Sequence, residues 1–140
     1  MRRVVRAGLF IGILVALVVV CGCGAPSSQS CGYSFVVTVS PASATVNHAA
    51  TPPGNQVQFI GTAVPTAPPG CPIPAVEALV YATWSNPDPT DIQISSADNS
   101  TNGTAVCMSS TNGAVTLTGT FSSVPGNAGN ITKSVQLTCE

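Results

Sequence analysis

The sequence predicts an all-β domain, a β-sandwich of about seven short strands, and three observations carry that expectation. Apolar and polar residues alternate with period two in short recurring runs, the pattern of strands with one buried face. Between the runs stand clusters of Pro, Gly, Asn, Asp and Ser, which interrupt regular structure and form turns. The single tryptophan, Trp84, falls on the third run, where a sandwich packs an aromatic against the facing sheet.

In chain order, SFVVTVS (Ser34–Ser40) puts Phe35, Val37 and Val39 on one face. Pro41 then interrupts and SATVN continues briefly, so this run belongs at a sheet edge, where a missing backbone donor is tolerated. NQVQFIGTA (Asn55–Ala63) sets Val57, Phe59, Gly61 and Ala63 on the core side. The five prolines of Val64–Ala75 remove donors and fix φ, so this stretch is expected as a loop, and it carries Cys71. Val80, Ala82 and Trp84 share a face of the next run, whose less regular start, Val76–Leu79, accommodates one helical turn. SNPDPTD (Ser85–Asp91) is turn chemistry, DIQIS a short strand through Ile92 and Ile94, and SADNSTNG another turn ending at Gly103. TAVCMS (Thr104–Ser109) is a strand with Ala105 and Cys107 on one side and Val106 and Met108 on the other, and alternation alone does not choose the buried side. AVTLTGTF aligns Val115, Leu117, Gly119 and Phe121 inward beneath a face of threonines. VPGNAGN is a hairpin-type loop, and ITKSVQLTC turns Val135, Leu137 and Cys139 to the core.

Ahead of the strands, Arg2, Arg3 and Arg6 precede an uncharged apolar run of 14 residues, Ala7–Val20, that closes on Cys21, Gly22 and Cys23. That is the plan of a secretory signal, and the run falls short of the roughly 20 residues a membrane-spanning helix needs. The segment resembles a bacterial lipoprotein signal, in which an aliphatic and a small residue stand before a cysteine that is lipidated and becomes the new N-terminus. Val20, Cys21, Gly22 and Cys23 fit that box with Cys23 as the lipidated residue. The competing frame, ending on Cys21, puts the branched Val20 where a small residue is expected; ordinary cleavage releasing a soluble protein is the other reading. The resemblance implies a signal peptide over 1–22, a lipid-anchored tether over 23–32 and the folded domain over 33–140. It also implies an exported protein held in a bacterial membrane, at the outer membrane or cell surface. GAPSSQS, small and polar, has the composition of a flexible tether.

Removing residues 1–22 leaves 118 residues, the size of one domain. Lys133 then faces Glu77, Asp88, Asp91, Asp98 and Glu140, a formal charge of −4, so nucleic acid is not an expected partner, since phosphate binding rests on clustered Lys and Arg. Disordered chains are typically rich in charge and poor in β-branched residues; this one is the reverse.

The succession VTVSPASATVN, QVQFIGTA, TW with SNPDP and DIQIS, NGTAV, GAVTLTGTF and SVQLTC resembles the bacterial immunoglobulin-like domains of group 2. Those domains read V-x-V-x-P near the start, W-S-S-S-x-P in the middle and G-x-A-x-I-x-A before the last strand. The match spans Ser34–Cys139, and it is the order of the pieces that carries it. Two departures, the long proline-rich loop and GTAVC in place of a glycine-rich turn, each bring a cysteine. The resemblance implies an immunoglobulin-like sandwich of about seven strands in a surface or adhesion protein.

With Cys21 removed and Cys23 lipidated, Cys31, Cys71, Cys107 and Cys139 remain, an even number in an exported domain, which points to disulfides and allows three pairings. Zinc would want close C-x₂-C pairs and histidines, and His48 is the only histidine, so no metal is expected. The immunoglobulin-like topology implies Cys31 with Cys71 and Cys107 with Cys139. It brings the start of the first strand to the end of the second, and the fifth and seventh strands to the opposite pole.

Candidate chemistry is sparse. Asn86, Asp88 and Asp91 gather oxygens as a calcium loop does, but are expected as turn residues. Asp98, Asn99, Ser100, Asn102 and Asn112 read as solvated turns, and Asn99, Asn102 and Asn130 each open an N-x-S/T sequon that a bacterial exporter leaves bare. His48 stands on a turn-rich segment without a nucleophile elbow, so it reads as a solvent-exposed loop histidine. Paired-acid chemistry would require Glu77, Asp88, Asp91 or Asp98 to meet in space. Trp84 is expected in the core, leaving Tyr33 and Tyr81 as the aromatics for an exposed surface. The expectation is a non-catalytic envelope protein without cofactors, anchored to the membrane by its lipid and touching an envelope protein or glycan. A ligand-free spacer and a carbohydrate-binding accessory module are the alternatives.

Overall fold

The computed structural model describes residues 31–140; the expected signal peptide, Cys21, Cys23 and the expected tether as far as Ser30 lie outside the described residues. The described part is all-β. Its strands are β1 (Ser34–Ser40), β2 (Ser43–Val46), β3 (Gln56–Gln58), β4 (Ile60–Thr66), β5 (Ala78–Val80), β6 (Thr83–Ser85), β7 (Ile92–Ile94), β8 (Thr104–Cys107), β9 (Val115–Phe121) and β10 (Ile131–Cys139). They form three sheets, β1-β4-β5, β2-β10-β9-β6 and β3-β8-β7, all antiparallel except for β2, which runs parallel to β10. Their inner faces share one core, in a sandwich-like arrangement.

Ten strands arise where about seven were expected because three of the runs are cut. The first is cut at Pro41 and divided between two sheets, with β1 at the edge of one and β2 at the edge of another. The second is cut at Phe59, so that β3 pairs with β8 while β4 pairs with β1 and β5. The third is cut at Tyr81–Ala82, where the chain leaves β4 and joins β9. No helical turn forms at Val76–Leu79; Ala78–Val80 is a strand, because Ala63, Thr62 and Gly61 of β4 offer it a ladder. The loop expected from Val64 also starts later. β4 runs on to Thr66 with Pro65 opposite Phe35, and beyond Ala63 its other side has no strand partner, which leaves room for proline's missing donor.

The facing of the runs follows their alternation. Val37, Phe59, Ala63, Leu117, Phe121, Val135 and Leu137 are buried, and Ala105 and Cys107 are the inner side of β8, leaving Met108 exposed. Gly61 and Gly119 stay bare for packing reasons, since a Cβ on Gly61 would lie 2.5 Å from the Phe121 ring and one on Gly119 would lie 3.2 Å from the Trp84 ring. Gly103 has a stricter task. It sits at φ +75°, and a Cβ there would be 2.0 Å from the Phe59 carbonyl oxygen, on the residue where β3 gives way to β4.

The structure joins Cys31 to Cys71, with Cα atoms 5.8 Å apart, and Cys107 to Cys139, 5.7 Å apart. These are the two pairs the immunoglobulin-like topology implies. The second links β8 of one sheet to β10 of another and both of its cysteines are only 1% exposed, whereas the first holds Cys31 against the proline-rich loop. Sequence separations of 40 and 32 residues correspond, in the chain-entropy account, to roughly 3–4 kcal/mol each.

Replacing both Cys107 and Cys139 by alanine is therefore expected to lower unfolding free energy by about 3–5 kcal/mol, from lost crosslinking plus a small core void. Urea unfolding of the purified chain checks this; a loss no larger than for the Cys31/Cys71 pair would show that the buried bridge has no added packing value.

Candidate functional site

The site is built where the chain changes sheets. Between β5 and β6, Tyr81 and Ala82 belong to no strand, so their backbone groups have no ladder to satisfy them. Asn102 supplies the substitute. Its Oδ1 accepts from the Ala82 N–H at 3.1 Å, and its Nδ2 donates to the Ala82 carbonyl at 2.9 Å, so one carboxamide closes both groups as a strand neighbour would. The same Nδ2 donates to Ala97 O at 2.9 Å, and Oδ1 also accepts the Trp84 indole Nε1–H at 3.2 Å. Gln58 Nε2 donates to the Asn102 main-chain oxygen at 3.1 Å. Asn102 is 6% exposed and is the one buried polar residue among those described.

The expectation of a solvated turn at Asn102 is thus corrected. The signal was present in the sequence as a demand without an address: a buried Trp84 needs a partner for its indole N–H. Trp84 is 8% exposed and lies 6.1 Å from Phe59, centroid to centroid, in the core.

With Ala82 fixed from behind, Tyr81 and Leu79 stand on the surface, 42% and 65% exposed. They form a ridge between two hollows. One, of about 380 Å³, is lined by Leu79, Tyr81, Thr83 and Asp98 on one side and by Ser122 and Ser123 on the other, with Phe121 and Val124 among the lining residues. The second, of about 200 Å³, is lined by Gln58, Ile60, Leu79, Tyr81, Asn99 and Ser100. The side chains of Tyr81, Thr83, Asp98, Ser122 and Ser123 make no hydrogen bond to other described residues, so their polar groups face solvent unoccupied by the fold.

No protein-family model, curated protein or solved structure matches this chain. The chemistry of the surface therefore rests on its own residues. The Asn86–Asp91 turn holds itself together: Asn86 Oδ1 accepts from Asp88 N at 2.9 Å, Asn86 Nδ2 donates to Ile92 O at 2.6 Å, and an Asp91 carboxylate oxygen accepts from the Ser109 hydroxyl. Among the described residues, no group of three or more His, Cys, Asp or Glu is placed to hold a metal ion. His48 is half-buried rather than free in solvent: its Nδ1 lies 2.5 Å from the Glu140 main-chain oxygen, which also accepts from the His48 N–H at 2.9 Å. Of the three sequons, Asn102 is closed to modification because its amide nitrogen already donates to two carbonyls; Asn99 and Asn130 are exposed.

Replacing Asn102 with alanine leaves Ala82, Trp84 Nε1 and Ala97 O without this partner, and the expected loss is about 2–4 kcal/mol. In the wild type, Trp84 emission is expected to be blue and poorly quenched by acrylamide; in Asn102→Ala it shifts red and becomes quenchable. Equal quenching of both proteins would count against the clamp.

Proposed function

We propose that this chain is a non-catalytic, lipid-anchored protein of the bacterial cell envelope, whose one immunoglobulin-like domain makes contacts for adhesion or display. The observation that carries the contact reading is the ridge of Leu79 and Tyr81, exposed between two hollows beside hydroxyl and carboxylate groups that the fold does not use.

Location rests on the signal-like segment ending at Cys23 and on two disulfides, which persist in oxidising compartments. The immunoglobulin-like assignment is supported by strand order. Numbering the seven runs from one to seven, the ladders join the first to the second, the second to the fifth and the fifth to the fourth; they also join the first to the seventh, the seventh to the sixth and the sixth to the third, and a short ladder joins the third back to the second. Taken together, the ladders resemble the two-sheet plan of immunoglobulin-like sandwiches, with the first and third runs each contributing to both groups. The proposed division is a signal over 1–22, a tether from Cys23 and the sandwich to Glu140.

Cys23→Ser is expected to move the protein from the membrane pellet to the soluble fraction while leaving urea unfolding unchanged. Membrane retention of that variant, with release by Cys21→Ser, would shift the lipidation frame; retention of both would remove the lipid anchor from the reading.

A further inference from the structure

We infer that the hollow beside Tyr81 is a binding site for a neutral saccharide, one or two rings at a time. The inference rests on the contact reading above and supplies its ligand class. A sugar ring presents C–H groups on its faces and hydroxyls around its rim, so it needs an exposed aromatic surface next to acceptors and donors that have no other partner. Tyr33 and Tyr81 are both exposed, but it is Tyr81 that lines a hollow, which also carries Thr83, Asp98, Ser122 and Ser123. An exposed carboxylate such as Asp98 accepts two neighbouring hydroxyls in charge-assisted bonds, stronger than neutral ones. The hydroxyls of Thr83, Ser122 and Ser123 both donate and accept, which suits a ligand that does the same.

Charge narrows the class. The lining residues include one carboxylate and no cation, so uronic acids, phosphates and sulfates meet repulsion without compensation. At about 380 Å³ the hollow lies near the lower end of the roughly 300–1,000 Å³ range of small-molecule sites. The platform is also fixed in advance. Ala82, next in the chain to Tyr81, is held on both backbone groups by Asn102, and Trp84 two residues further on is anchored to the same amide, so little ordering is needed on binding. The rival occupant, an extended peptide adding to the free edge of β5, finds a ladder only three residues long there.

The test is titration calorimetry on the full chain in detergent with cellotriose, maltotriose and tri-N-acetylchitotriose, with trigalacturonate as the charged control and an alternating Val/Thr nonapeptide as the strand probe. At least one neutral trisaccharide binds; Tyr81→Ala weakens it by about tenfold or more, Asp98→Asn by about three- to tenfold, and Tyr81→Phe by less than about threefold. Should Tyr81→Ala unfold, Ser122→Gln, which fills the hollow from the other wall, carries the same expected loss. Binding of none of the neutral sugars, preference for trigalacturonate, capture of the nonapeptide alone, or indifference to both Tyr81→Ala and Ser122→Gln overturns the site. Anchoring is read separately: soluble wild-type protein that still binds a trisaccharide overturns the envelope reading and leaves the site standing, and a membrane-bound chain that binds none does the opposite.

Discussion

The carboxamide of Asn102 is the interaction on which the rest of the molecule depends. A strand that passes from one sheet to another must cross a gap in which its backbone groups have no ladder, and leaving a buried N–H or C=O unpaired costs about 1–3 kcal/mol each. An asparagine side chain is a peptide group on a short arm, with one acceptor and one donor side by side, so it stands in for the missing neighbour at Ala82. Because the same amide also satisfies Trp84, the largest core side chain is seated by the residue that guides the crossing. Gly103, adjacent in sequence, completes the arrangement: its left-handed backbone and lack of a Cβ let the turn approach Phe59, whose N–H donates to Gly103 O at 2.9 Å.

A chain with 6% charged residues has little electrostatics with which to organise itself. Its specificity comes instead from shape and covalent closure. Glycines at Gly61 and Gly119 make room for the rings of Phe121 and Trp84, and the Cys107–Cys139 bridge ties two sheets across the same core. The exposed disulfide-bound end is different in kind. Cys31 and Cys71 fasten a proline-rich stretch in which Ile73 and Val76 stay exposed, so there the covalent bond replaces packing.

The burial faces were legible because period-two alternation is a local property: Val115–Phe121 and Ile131–Cys139 declare which side is inward whatever their partners are. The interruptions at Phe59 and at Tyr81–Ala82 were not legible, because a strand is cut where its neighbour changes, and neighbours are set by residues far along the chain. Pro65 shows the same limit from the other side. Proline density argued for a loop, but a ladder with one open flank admits it. Asn102 looked like one of several turn residues beside Asn99 and Ser100, and only its three-dimensional address, behind Ala82 and under Trp84, separates it from them. The surface around Tyr81 was named only as a leftover aromatic, since hollows form between segments distant in sequence, here Leu79–Thr83 and Phe121–Val124.

The two disulfides have a mechanical meaning. β2 lies within the loop closed by Cys31–Cys71 and β10 within the loop closed by Cys107–Cys139, so a pull applied toward residue 31 at one end and toward Glu140 at the other is carried by the covalent bridges past both strands. The bridges therefore decide how far the domain can stretch. Cys31–Cys71 shortens the path at its start and Cys107–Cys139 shortens it at its end, leaving only Pro72–Val106 free to extend, roughly 120 Å of chain at about 3.4 Å per residue. Under load the domain behaves as a short leash with a fixed stop.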